Sequence, residues 1–221
     1  MTRIEFEEHF NKYRKNLRQE IHRFIDCASI LRQISESTAT YQHEMNFAPS
    51  FFQNVEAALF TTIVLWADNI FDEHGQCGIF NFLTFIEHNR KWITVEELKL
   101  RRNYTDDHWT LKNHEPITFK SIEIHRNKIK SLTVLNSFEI RRDKFHGHFD
   151  KKYFFDKSIF NKIAPITWDQ LDEVGKMMED ILNFYSGEFD GNFYSMSTPK
   201  DLANLLEIAK LGVEASIKLY D

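Results

Sequence analysis

Apolar residues recur every three or four positions along most of this 221-residue chain. That spacing predicts α-helices that each bury one face. No run alternates apolar and polar positions in the manner of a half-buried strand. Glycine (7) and proline (4) are too few for a fold built on many tight turns. The pattern therefore predicts an all-α bundle of about six or seven helices, with a helical C-terminal extension.

Each predicted helix is marked by an apolar stripe or by residues that begin or end a helix. Residues 104–116 are predicted as a polar loop, and residues 151–165 as a packed connector. The predicted helices are a first from Phe6 to Leu31, a second that starts near Pro49, a third over 79–88, a fourth that opens at Thr94, a long fifth from Thr118 to about Phe145, a sixth that opens at Thr167 and ends at Gly187 and Gly191, and a last that opens at Thr198-Pro199.

Composition adds a cellular setting to this fold. Hydrophobic residues make up 42% and charged residues 28%, as in an ordinary globular protein. Cys27 and Cys77 cannot form a disulfide framework or a four-cysteine zinc site, which favours a reducing, cytoplasmic setting. The most apolar stretch, 57–67, is far shorter than the roughly 20 residues of a membrane-spanning helix. We therefore expect no membrane partner.

Charge is distributed unevenly along the chain. The net charge is −5, which by itself speaks against nucleic acid. Residues 120–152, however, hold nine Lys/Arg against four Asp/Glu, whereas residues 167–221 hold four against eleven. A basic segment on an acidic protein can still bind a phosphate chain, although it can equally be a solvated helix face.

The chemistry, if any, lies at the end of the predicted fifth helix, in the sequence Arg-Arg-Asp-Lys-Phe-His-Gly-His-Phe-Asp-Lys over 141–151. Arg142 falls on the apolar stripe of that helix. Because an unpaired buried charge is very costly, we expect Arg142 to have a partner. A purely structural ion pair with Asp143, Glu139 or an acid of another helix is therefore an alternative to a catalytic role, as is a satisfied buried histidine for His148.

Two arginine–histidine pairs can share a face if this helix is straight. Arg142 and His146 are four residues apart, and Arg141 and His148 are seven apart, which is almost two turns. Gly147 allows the backbone to leave the helix between them. Spacing alone therefore leaves both pairs open.

The segment from Arg142 to Lys151 resembles the signature of the HEPN superfamily, in which an arginine with a polar neighbour is followed by a histidine after four to six intervening residues. Its form here looks like the branch named after an abortive-infection protein of the AbiU kind. Two earlier segments, 41–52 and 65–72, also resemble that branch. The resemblance covers about the first 155 residues. We therefore expect a HEPN-like core over 1–155 and C-terminal helices over 156–221 that pack on the same bundle.

The resemblance implies a metal-independent endoribonuclease without a cofactor, acting as a homodimer in which two copies of the motif face one cleft. In the family's register, Arg142 pairs with His148, and Asp143 takes the polar position. A ribose 2′-hydroxyl would attack the adjacent phosphate while His148 moves protons, Arg142 holds the phosphate and Asp143 orients either of them. The expected partner is RNA, in a bacterial abortive-infection or toxin–antitoxin setting. Contacts with RNA are expected from Arg141, Lys144, His146, Lys151 and Lys152.

Three alternatives accompany this interpretation. A metal site is one, because His146, His148, Asp143 and Asp150 supply two imidazoles and two carboxylates at close spacing. A HEPN module that binds nucleic acid or protein without catalysis is another, since fold does not settle activity. In the third, the acidic C-terminal helices form a docking surface for an antitoxin protein.

Overall fold

The structure is a computed structural model that describes residues 1–112, 114–146, 151, 155–156, 158–196 and 198–220, with side chains for all of these except 145, 146 and 216–220. None of these residues lies in a β-strand, so the predicted all-α class is confirmed. The described α-helices are α1 (Arg3–Ser37), α2 (Gln42–Met45), α3 (Pro49–Phe71), α4 (Ile79–Asn89), α5 (Val95–Arg102), α6 (Trp109–Lys112), α7 (Phe119–Lys130), α8 (Val134–Arg141), α9 (Ile159–Ile163), α10 (Trp168–Asp190) and α11 (Asp201–Tyr220).

The long helices form for the reasons that their sequences indicate. Thr2 caps α1, because its hydroxyl accepts from the Glu5 N–H while the Glu5 carboxylate accepts from the Thr2 N–H. Thr167 and Gln170 cap α10 in the same reciprocal way. Pro49 occupies the first turn of α3. The starts of α3 and α10 agree with the predicted ones, whereas α1 begins three residues before Phe6.

One large apolar core joins α1, α3, α4, α7, α8 and α10. α1 lies against both α3 and α10, so the chain before residue 155 and the chain after it contribute side chains to the same core. α11 packs mainly through Leu206 into a second, smaller cluster with Ile34 and Met45. The proposed division at residue 155 stays a prediction.

The predicted long fifth helix is wrong, because α7 and α8 are separate. The chain turns at Ser131, whose hydroxyl donates to the Lys128 carbonyl at 2.7 Å and whose N–H bonds back to Asn127. Serine hydroxyls that bond to the backbone compete with helix continuation, and here the competition occurs without glycine or proline. The division leaves α8 as a short helix of its own, packed on α3.

Two other boundaries differ from the predicted ones. Gly187 lies inside α10, and only Gly191, with φ 73°, ends it. α11 begins at Asp201 rather than after Thr198, and the Pro199 carbonyl before it accepts from Gln33 of α1. The described residues hold eleven α-helices rather than six or seven, because the short helices α2, α6 and α9 are not predicted and the fifth helix is divided.

Candidate active site

The arginine-rich motif lies where α8 ends and the chain enters a π-helical turn, Arg142–His146. A π-helical turn closes hydrogen bonds over five residues instead of four, and such turns are frequent at functional sites. The two pairs derived from a straight α-helix, Arg142 with His146 and Arg141 with His148, stay predictions, because the His146 side chain and all of His148 lie outside the described residues. Both α8 and the turn pack on α3.

Arg142 is bound by two carboxylates. Its Nη1 lies 2.5 Å from Oδ1 of Asp68 on α3, and its Nε and Nη2 each lie 2.7 Å from Oδ1 of Asp143. The hydrogen bond to Asp68, followed by the bond to Asp143, raises the pKa of Arg142. The guanidinium therefore stays charged, and the expectation of an acidic partner is confirmed.

Arg142 also remains accessible to a ligand. Its side chain is 34% exposed, and that of Asp143 is 48% exposed. A guanidinium has five N–H donors, and the contacts with Asp68 and Asp143 use one donor on each nitrogen. Among the described residues, two N–H groups of Arg142 thus have no acceptor, and a phosphate oxygen is a suitable acceptor for them.

Asp68 is the member of this site that the sequence did not identify. Its side chain is 17% exposed and projects from α3, a rigid helix of 23 residues. The available signal was a carboxylate directly after the most apolar stretch of the chain, within the segment 65–72 that resembles the AbiU branch. Spacing could not connect it to Arg142, because 74 residues separate the two.

Arg141 lies in a different environment from its neighbour Arg142. Its Nε donates to the Ala164 carbonyl at 2.7 Å, and its guanidinium carbon lies 5.0 Å and 5.4 Å from the ring centres of Phe60 and Phe160. Burial lowers the pKa of Arg141. This placement favours a packing role, and its contact with RNA stays a prediction.

The other predicted site residues are described only in part. Lys144 and Lys151 are exposed. His146 closes the π-helical turn, and its side chain is outside the description. His148, Asp150 and Lys152 lie outside the described residues altogether. The catalytic pairing of Arg142 with His148 therefore stays a prediction.

Metal ligation receives no support from the part of the chain that the structure describes, which holds no group of three or more His, Cys, Asp or Glu residues placed to bind a metal ion. Two of the four ligands of the predicted metal site, His148 and Asp150, are not among those residues. The alternative thus stays untested.

The basic segment 120–152 is less available to RNA than its charge indicates. Arg126 bonds to Glu87 at 2.6 Å, and Lys130 bonds to Glu73 at 2.9 Å. Its exposed cations include Lys120, Lys128 and Lys144.

No helix in the described ranges combines the length and apolar character needed to cross a bilayer.

Comparison with known proteins decides the family. The model of the HEPN family described as AbiU2 matches residues 7–209, which is most of the chain. The chain belongs to the HEPN AbiU2 family. The AbiU2 match extends beyond the first 155 residues and includes α10 and part of α11. Among curated proteins and among solved structures, nothing matches this AbiU2-family chain.

Proposed function

We propose that this AbiU2-family protein is a metal-independent endoribonuclease. The observation that carries the proposal is Arg142, a charged and partly exposed guanidinium that Asp68 holds from a rigid helix. Its two remaining N–H donors suit a phosphate oxygen on which negative charge develops. His148 follows in the family's register, and an imidazole is the usual side chain for proton transfer near neutral pH.

The proposed reaction is internal transfer of the phosphate. The 2′-oxygen of a ribose forms a bond to the adjacent phosphorus while the bond from phosphorus to the 5′-oxygen breaks. His148 takes the proton of the 2′-hydroxyl, and the 5′-oxygen leaves with a proton from an acid or from water. Arg142 stabilises the charge on the non-bridging oxygens, and Asp143 orients the guanidinium. The nucleophile belongs to the substrate, so this scheme requires no metal.

The test compares Arg142→Ala and His148→Ala with the wild type on single-stranded RNA. We expect each variant to lose cleavage by about 100-fold or more, because removal of one charge-stabilising donor group costs that much in other enzymes. Arg32→Ala is the matched control, since Arg32 is 31% exposed and pairs at 2.8 Å with Asp172, a carboxylate outside the motif. Full activity in both motif variants would refute the proposal.

Two further arms separate the alternatives. Cleavage that continues in EDTA supports the metal-independent mechanism, whereas complete loss that zinc or manganese restores would favour the metal site. A wild-type chain that binds RNA without cutting it would favour the non-catalytic module.

The composite cleft of a homodimer is part of the same proposal, and mixing tests it. If one subunit supplies Arg142 and the other supplies His148, a mixture of the two inactive variants forms some dimers with one intact site. Restored cleavage supports shared sites, and continued inactivity places both residues of a site in one chain.

An abortive-infection or toxin–antitoxin role, with an antitoxin on the acidic C-terminal helices, predicts growth arrest on expression that Arg142→Ala abolishes.

A further inference from the structure

A second cationic surface lies on α1, and it belongs to a groove that the motif does not share. The segment after α10 lies beside α1, and between them is a cavity of about 680 Å³. The side chains that give it its character are Arg14, Lys15, Arg18, His22, Arg23 and Tyr194. We call this cavity the α1 groove.

The α1 groove is cationic on a chain whose net charge is −5. Its lining holds four Lys/Arg, namely Arg14, Lys15, Arg18 and Arg23, against one carboxylate, Asp26. Lys15, Arg18 and His22 are spaced by three and four residues, so they share one face of the helix. All three are exposed.

Two of the groove's arginines are already paired, and two of its cations are not. Arg14 bonds to Asp190 at 2.7 Å, and Arg23 bonds to Glu20 at 3.0 Å. Lys15 and Arg18 have no carboxylate partner among the described residues. Two full positive charges are therefore available to a ligand.

Tyr194 holds Arg18 in a fixed orientation. The guanidinium carbon of Arg18 lies 4.7 Å from the centre of the Tyr194 ring. The main chain that carries the ring is itself anchored, because Asn183 accepts from the Tyr194 N–H and donates to the Tyr194 carbonyl, both at 2.7 Å. A guanidinium stacked on a fixed ring loses less conformational freedom when it binds an anion.

We propose that the α1 groove binds the phosphate backbone of single-stranded RNA. The proposal rests on the ribonuclease function and gives the substrate strand a binding surface apart from the cleavage site. Available cations at helical spacing are complementary to a chain of phosphates. An acidic protein fits less well, because protein interfaces depend on apolar or aromatic anchors, and most of the side chains that line this groove are polar or charged. A cavity of this size takes in roughly one or two nucleotides of a strand.

The experiment measures binding without cleavage. A short unstructured RNA with 2′-O-methyl riboses cannot undergo attack by its own 2′-oxygen, so fluorescence anisotropy reports affinity alone. We expect Lys15→Ala/Arg18→Ala to weaken binding about tenfold and to lower the slope of log K against log salt by about 1.4, which is the loss of two phosphate contacts on a single strand. Lys112→Ala/Lys200→Ala removes the same charge from exposed residues outside the groove and should change affinity less than twofold.

A third variant tests the contact between Arg18 and the Tyr194 ring. Tyr194→Leu keeps every charge and leaves the main-chain bonds to Asn183 in place. We expect binding to weaken about two- to threefold with the salt slope unchanged, because Arg18 loses its orientation and not its charge.

The inference is overturned if both double variants weaken binding equally, if neither does, or if polyglutamate or duplex RNA displaces the probe as well as single-stranded RNA does. Its failure can be distinguished from failure of the nuclease proposal. Groove-dependent binding by a wild-type chain that never cleaves natural RNA removes the nuclease and keeps the groove. Cleavage that proceeds with wild-type KM in Lys15→Ala/Arg18→Ala removes the groove and keeps the nuclease.

Discussion

Arg101 and Arg142 both pair with carboxylates, but their surroundings differ in almost every respect. The Arg101 side chain is 7% exposed; it bonds to Glu7 at 2.9 Å and donates to the main-chain carbonyls of Phe189 and Trp92. Its guanidinium carbon also lies 4.3 Å from the centre of the Phe189 ring. Arg142 is 34% exposed, and no main-chain carbonyl of the described residues accepts from it.

This difference separates a structural arginine from a binding one. Arg101 joins α1, α5 and α10, and only 7% of its side chain is exposed, so a ligand has little access to its guanidinium. Arg142 is held by Asp68 and Asp143, and 34% of its side chain remains exposed. An ion pair on its own is therefore weak support for function, whereas an ion pair whose guanidinium stays accessible at a helix end is stronger support.

The largest expected effect is on stability, at Arg101. Arg101→Ala leaves the carbonyls of Phe189 and Trp92 without their donor, and each buried acceptor left unpaired costs about 1–3 kcal/mol. Glu7 keeps Arg3 as a partner at 2.9 Å. Arg142→Ala should lower the free energy of unfolding by no more than about 1 kcal/mol, as expected for an exposed pair. Urea denaturation measures both values. Equal losses in the two variants would remove the distinction.

The next effect is on catalysis, at Asp68. Asp68→Asn keeps the shape of the side chain but removes the charge that holds Arg142, and we expect cleavage to fall by up to about 100-fold. The loss should appear in kcat more than in KM, because a positioned charge acts in the transition state. Glu56→Gln, on the same helix, is the control. Unchanged cleavage in Asp68→Asn would show that Asp68 only packs.

A smaller effect distinguishes the adjacent arginines. Arg141→Met keeps an apolar stem beside Phe60 and Phe160 but leaves the Ala164 carbonyl without its donor, at a cost of about 1–3 kcal/mol in stability. Cleavage by the folded variant should stay within threefold of wild type. A large loss of cleavage with little loss of stability would instead assign Arg141 to the RNA-binding site.

The smallest effect concerns a buried pair that includes no carboxylate. The His125 Nδ1 lies 2.9 Å from the Tyr185 hydroxyl, and burial lowers the pKa of His125. The unfolded chain therefore binds a proton more readily than the folded one, so stability falls as the pH decreases below the ordinary histidine pKa of about 6.5. His125→Gln should flatten this fall in stability between pH 7.5 and about one unit below the ordinary histidine pKa of about 6.5, as measured by thermal unfolding. The exposed His74→Gln is the control, and an equal flattening there would contradict the assignment to His125.

The sequence could indicate the motif but not its partners. Arg142 stands out because a cation falls on an apolar stripe, and the resemblance to HEPN proteins marks the same residue. Asp68 has no comparable signal, since only the packing of α8 on α3 brings it within 2.5 Å of Arg142. The availability of Arg18, and its stacking on Tyr194, likewise depend on the position of a segment 176 residues away.

The sequence by itself determined the all-α class, most of the helix starts and the identity of the motif, because apolar periodicity and capping residues act over a few neighbouring positions. Only the tertiary structure decided that the predicted fifth helix divides at Ser131, that a π-helical turn follows α8, and that Arg141 and Arg142 have opposite environments. Those outcomes depend on contacts between distant parts of the chain, and residue spacing does not specify such contacts.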